Sequence, residues 1–171
     1  MEIKHHYIER GAGSPLILLH GNGEDASYFE HQMEPFSRHF RVIAIDTRGH
    51  GRLILDGANL DASGVRRSVQ IPIEIGYRMA RLFAKKKAGA RKNAEMLGLM
   101  VNDPNVKAEE LRLIQAPTLV LAGTRDMIKT SHTRLIAQSV SGAQLSLIPG
   151  DHFIANKNPD AFNEAVLRFL L

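Results

Sequence analysis

VIAIDTRGHGRLILDGANL, residues 42–60, holds two apolar runs, 42–45 and 53–55, that each read as a buried strand. Strands buried on both faces carry unbroken apolar runs rather than alternation. The connection between the two runs decides what sheet this chain can build. If both run parallel in one sheet, the chain must return from the top of the first to the bottom of the second. A strand is roughly 17–20 Å long. With one strand between them the sideways step adds about 10 Å. Fully extended, Thr47 to Gly51 reaches at most roughly 17 Å. Parallel crossovers normally take a dozen or more residues. The join at Gly51–Arg52 is therefore too short for an ordinary crossover within one chain.

Working outward, the chain alternates strand-like and helix-like stretches. EIKHHYIE at 2–9 reads as a strand and GAGS at 11–14 as a turn. PLILLHG at 15–21 is a buried strand, DASYFEHQMEPFSRHF at 25–40 a helix with Pro35 inside it, and RVIAID at 41–46 a buried strand. RLILDGA at 52–58 is another strand. Residues 66–101 hold helix-forming stretches, NDPN at 102–105 a turn, and KAEELRLI at 107–114 a short helix. APTLVLAG at 116–123 is a strand, SHTRLIAQSV at 131–140 a helix and AQLSLIPG at 143–150 a last strand. NPDAFNEAVLRFLL at 158–171 closes the chain as a helix, with Asn158 as N-cap before Pro159. This alternation predicts an α/β architecture, a mainly parallel sheet flanked by helices. In such sheets ligands sit beyond the C-terminal ends of the strands. The polar positions there are 20–23, 46–51, 56–59, 123–126 and 150–152.

Composition narrows the function classes. At 171 residues one domain is the default, long enough to bury a real core. Cysteine is absent, which removes disulfides, thiolate catalysis and cysteine metal sites, and fits a reducing, cytoplasmic setting. No 18-residue apolar stretch and no signal-peptide-like opening are present, so no membrane association is expected. The net charge is +4, but the clearest basic cluster, KKKAGARK at 85–92, lies in a helix-like segment with no interleaved aromatic residues. It reads as a solvated helix face, and no nucleic-acid partner is expected. His5 and His6 lack a third ligand at a convincing spacing, so no metal is expected.

Four stretches in this order resemble the α/β-hydrolase family: LILLHGNG, VIAIDTRGHG, APTLVLAGTRD and LSLIPGDHFIANKNPDAFNEAVLRFL. The resemblance covers nearly the whole chain. It implies a truncated α/β-hydrolase-like core in two parts, 1–58 and 116–171, with a helical lid at 59–115. It implies hydrolysis of ester- or amide-type bonds, a small-molecule acyl substrate and no cofactor. His152 would be the general base. Asp126 would orient its imidazole and stabilise imidazolium. The acid-then-histidine chain order is that of the family. The plainer readings, which carry less weight in this context, are a surface-loop histidine for His152 and a cap on the helix that follows for Asp126. Asn22 would supply an oxyanion-hole N–H, with Gly21 and Gly23 allowing close backbone approach. On its own, the Asn22-Gly23 pair is also a plain turn signal. His50 reads as structural.

The nucleophile that the family requires is not legible. It sits in a G-x-S-x-G turn between strand and helix. None of Ser14, Ser27, Ser37, Ser63, Ser68, Ser131, Ser139, Ser141 and Ser146 has glycine at both −2 and +2. Ser63 comes nearest but has Asp61 at −2 and no strand before it. Neither Asp46 nor Asp56 precedes a helix at the right distance. The family pattern puts the elbow between RGHG and RLILDGANL, where this chain has no residues. Three explanations stand: an internal deletion between Gly51 and Arg52, a strand-exchanged homodimer, or a strand at 52–56 running in another direction. Deletion is the favoured expectation. With it comes weak or absent activity, and as an alternative a non-catalytic binding or assembly module.

Overall fold

A computed structural model describes residues 6–21, 24–46, 73–83, 94 and 106–171. The expected strand at 52–58, the RGHG turn with His50, and the basic cluster at 85–92 lie outside the described residues. The chain divides into two compact units. One comprises Met1–His6, Leu19–Asp25 and Ile45–Asn105; the other comprises Tyr7–Leu18, Ala26–Ala44 and Val106–Leu171.

The second unit is built from stretches far apart in sequence. Strands β1 (Tyr7–Arg10), β2 (Pro15–Leu19) and β3 (Arg41–Ile45) form a three-stranded sheet in the order β1-β3-β2. The turn between β1 and β2 depends on Gly11. Its φ is +86°, and a Cβ there would lie 2.3 Å from the Phe40 carbonyl oxygen. Only glycine combines that dihedral with that approach. Across the sheet, Arg41 grips the Glu9 carboxylate with Nε and Nη2 at 2.8 and 3.1 Å. That pairing holds the Glu9 carboxyl below its ordinary pKa and raises that of Arg41.

Between β2 and β3 the chain makes a 3₁₀ turn (Ala26–Phe29) and helix α1 (Glu30–Ser37). Pro35 sits inside α1. Proline has no N–H, so the His31 carbonyl loses its donor four residues on. Asn163 supplies the replacement: its Nδ2 donates to His31 O at 3.0 Å. Gln32 Nε2 donates in turn to Asn163 Oδ1 at 3.1 Å and to Ala155 O at 2.8 Å. Gln32 and Asn163 are both buried. Unpaired polar groups there would carry a desolvation cost, and this network removes most of it.

The C-terminal part runs α3 (Ala108–Leu111), β4 (Leu119–Gly123), α4 (Thr130–Ser139), β5 (Gln144–Ile148), α5 (Ile154–Lys157) and α6 (Pro159–Leu170). Helix α6 lays Phe162, Val166 and Leu167 on a core of Ala26, Phe29, Met33, Phe36, Val42 and Ala44. That i, i+4, i+5 stripe is the apolar face of a surface helix. Complete burial of side chains such as Phe36 or Val42 contributes about 1.5–3 kcal/mol each. Asn158 does occupy the position before Pro159, but it makes no side-chain capping bond. Its Nδ2 donates instead to Pro149 O at 3.0 Å, tying the start of α6 to the loop after β5.

In the first unit, α2 (Ile73–Phe83) carries Arg81 with its guanidinium 5.6 Å from the Tyr77 ring, one helical turn earlier. Here too the His6 imidazole Nδ1 meets Asp46 Oδ2 at 2.9 Å, and the Asp46 N–H donates to His6 O. Among the described residues no helix is long and apolar enough to cross a membrane.

Candidate active site

Strands β4 and β5 pair in parallel, in register from Leu119 opposite Gln144 to Gly123 opposite Ile148. Parallel pairing brings their C-terminal ends level, so the loops that leave them start side by side. Two backbone bonds hold those loops together: Thr124 N–H to Ile148 O at 2.9 Å and Arg125 N–H to Gly150 O at 2.8 Å. Gly123 makes the approach possible. A Cβ on it would lie 2.2 Å from Asp151 O and 2.6 Å from Gly150 O.

The consequence is that Asp126 and His152, from different loops, meet. His152 Nδ1 lies 3.0 Å from Asp126 Oδ1. The same Oδ1 accepts the Ile128 N–H at 2.8 Å, which fixes the carboxylate over its own turn. The Asp126 side chain is 9% exposed, whereas that of His152 is 47% exposed. A nearly buried carboxylate thus faces a histidine open to solvent. With Nδ1–H donating to carboxylate, the neutral imidazole keeps its Nε2 lone pair for an incoming proton. That is the arrangement a general base needs.

The turn around His152 is fastened further. The Asp151 carboxylate accepts the Phe153 N–H at 2.9 Å and pairs with the Lys157 ammonium. The Lys157 bond above all, then the Phe153 amide, with Arg125 nearby, hold the Asp151 carboxyl below its ordinary pKa. Phe153 packs edge-on to the His152 ring at 5.6 Å, and the Lys157 ammonium lies 5.4 Å from the centre of the Phe153 ring.

Of the residues expected at an oxyanion hole, Gly21 follows β2 in the other compact unit; Asn22 and Gly23 lie outside the described residues. The Gly21 N–H donates to Glu24 Oε2 at 3.0 Å, and its carbonyl accepts His20 Nδ1–H at 2.8 Å. Gly21 therefore shapes its loop through Glu24. Sequence reading placed Asp46 and Asp151 among the polar positions at the strand ends and read His6 as part of an edge strand, but it gave none of them a partner and did not single out Lys157. The D-x-F spacing at 151–153 suits a side chain folding back on an amide two residues on. The other two partnerships join residues with no periodic relation. Among the described residues no group of three or more His, Asp and Glu side chains is arranged to hold a metal ion.

Comparison with known proteins follows the same lines. The family model described as alpha/beta hydrolase fold matches residues 14–52. A pimeloyl-[acyl-carrier protein] methyl ester esterase of Aliivibrio fischeri is 29% identical over 128 residues, 72% of this chain and 49% of that protein. An (E)-2-((N-methylformamido)methylene)succinate hydrolase of Acinetobacter baylyi is 49% identical over 47 residues, 28% of this chain and 18% of that protein. The chain thus spans about half the length, or less, of these curated relatives. Among solved structures, a hydrolase from Pseudomonas aeruginosa superposes with a TM-score of 0.68 at 25% identity, covering 96% of this chain and 93% of that one. A thermophilic esterase from Thermogutta terrifontis gives 0.72 at 19% identity, covering 97% and 92%, which speaks to the fold alone.

Proposed function

Because the chain belongs to the α/β-hydrolase family, we propose that it acts on ester- or amide-type acyl bonds, with His152 as general base and Asp126 as its orienting acid. The observation that carries this reading is the 3.0 Å contact between His152 Nδ1 and Asp126 Oδ1 at the level ends of two parallel strands. No recognisable nucleophile elbow exists in the sequence, so the route open to it uses water. His152 Nε2 takes a proton as water oxygen bonds to the acyl carbon. The tetrahedral intermediate then expels the alcohol or amine, which receives that proton from imidazolium. Losing a serine nucleophile typically costs about 10⁶ in kcat, so activity is expected to be weak. Asn22, with Gly21 and Gly23, is assigned to the oxyanion loop, residues 59–115 to a lid over a small-molecule acyl substrate, and the setting to the cytoplasm. No cofactor enters this route. Residues were lost, in this reading, between Gly51 and Arg52.

The test is a p-nitrophenyl ester assay beside a fluorophosphonate probe. Hydrolysis lost in His152→Ala, with no covalent labelling, is the expected result. Labelling of any serine overturns the water route, and hydrolysis unchanged in His152→Ala overturns the role of the histidine.

A second reading, a non-catalytic module that pairs with another copy by strand exchange, is favoured by the exposed apolar side chains of β2. Ile17 is 56% exposed and Leu19 65% exposed. Uncovered strands of this kind invite pairing with another chain. Light scattering coupled to gel filtration separates a dimer from a monomer.

A further inference from the structure

Resting on that reading of His152, we propose that Asp151 is a positioning residue: its carboxylate spans His152 and holds Nδ1 on the Asp126 carboxylate. His152 has a peptide bond on either side, and the two sides are fastened differently. On the N-terminal side, Gly150 is pinned by the Arg125 N–H, and the Asp151 carbonyl rests against the bare Cα of Gly123. Further back, Pro149 O is held by Asn158. On the C-terminal side, the Phe153 N–H is taken by Asp151 Oδ1. That bond runs from residue 151 to residue 153 and closes a small ring with His152 at its apex. A residue at the apex of such a ring has little freedom to swing its Cα–Cβ direction.

The second oxygen of Asp151 extends the lock. Oδ2 pairs with Lys157 at the end of α5. The ammonium thus stays near the face of Phe153, and the Phe153 ring packs edge-on to the imidazole. One carboxylate therefore restrains both the backbone that carries His152 and the ring beside it. The charged groups around it are Lys157, Arg125, Asp126 and His152 itself. Asp151 makes no hydrogen bond to the imidazole itself: its oxygens go to the Phe153 amide and to Lys157. Its effect passes wholly through the orientation of its neighbour.

The experiment reads the imidazole directly by long-range ¹H–¹⁵N spectra of the intact protein and needs no activity. Wild type is expected to hold neutral His152 as the Nδ1–H tautomer. Asp151→Ala is expected to lose that signal toward the Nε2–H form of an unrestrained histidine. Asp151→Asn keeps an acceptor for the Phe153 amide and is expected to recover part of the signal. Lys157→Met, which leaves Asp151 in place, is expected to give an intermediate loss and serves if Asp151→Ala does not fold. An unchanged tautomer in both Asp151→Ala and Lys157→Met overturns the positioning role alone. A wild-type His152 in the Nε2–H form overturns it together with the His152–Asp126 dyad. Ester hydrolysis absent despite an Nδ1–H wild type counts against the hydrolase reading and leaves the positioning role standing.

Discussion

At the scale of single residues, the site turns on a missing atom and a pair of charges. Gly123 has no Cβ, and the space that atom would fill is occupied by Asp151 O and Gly150 O. Both obstacles are backbone and cannot rotate away. Gly123→Ala is therefore expected to push the two loops apart, lowering stability by about 1–3 kcal/mol in urea denaturation and displacing His152 from Asp126. His152→Ala removes the proposed proton acceptor. General acid–base catalysis is worth roughly 10²–10⁴-fold, and a loss of that order in ester hydrolysis is expected. The Asp151 carboxyl, held below its ordinary pKa by Lys157 and the Phe153 amide, gives a pH dependence of definite sign. A depressed folded-state pKa means stabilisation that is in place above the ordinary carboxylate value and lost as pH falls through the depressed one. Acidification is thus expected to loosen the His152 turn, and Lys157→Met to flatten that acid limb in hydrogen exchange of the Phe153 amide.

At the scale of elements, helix α1 shows how a local defect is repaired from afar. Pro35 leaves the His31 carbonyl without a helical donor, and Asn163 on α6 provides one. Asn163→Ala is expected to destabilise by about 1–3 kcal/mol. Pro35→Ala restores an N–H four residues from His31, so part of that loss is expected to disappear in the double variant. A double-mutant cycle by chemical denaturation measures the coupling. The elements themselves were largely legible. The apolar runs at 15–21, 41–46, 116–123 and 143–150 contain β2, β3, β4 and β5, but the expectation that 15–21 is buried on both faces fails: β2 alternates exposed and half-buried residues, with Ile17 and Leu19 on the open face. The helices at 131–140 and 158–171 match α4 and α6 to within a residue. Less legible was the stretch at 25–40, where a 3₁₀ turn precedes a shorter helix. Helix α5 has only four residues and too little sequence for a period to declare itself. The contact between His152 and Asp126 followed from motif order; the clamp through Asp151 and Lys157 did not, because a bond across six residues of loop and helix leaves no spacing rule behind. Asn158 illustrates the limit of composition. Its position before Pro159 was readable, but its side-chain amide donates to the Pro149 carbonyl instead of capping the helix.

At the scale of the whole molecule, the second compact unit draws on Tyr7–Leu18, Ala26–Ala44 and Val106–Leu171. The core of that unit joins β2, β3 and α1 to α6, so it takes its parts from both ends of the chain. The strand β2 carries a different hazard in Ile17 and Leu19, both large, apolar and exposed. Ile17→Lys, with a charge on that surface, is expected to abolish any concentration-dependent association in light scattering while leaving the circular dichroism unchanged.

The bond from Asn163 to His31 also sets an order of events during synthesis. The two residues are 132 positions apart. A ribosome adding about 5–20 residues per second needs roughly ten seconds to bridge that interval. For that time the nascent α1 has its His31 carbonyl turned to water and its apolar face waiting for Phe162, Val166 and Leu167. The apolar face of the amino-terminal half is thus expected to stay uncovered until the last helix emerges, and a chain ended before Phe162 is expected to keep it uncovered.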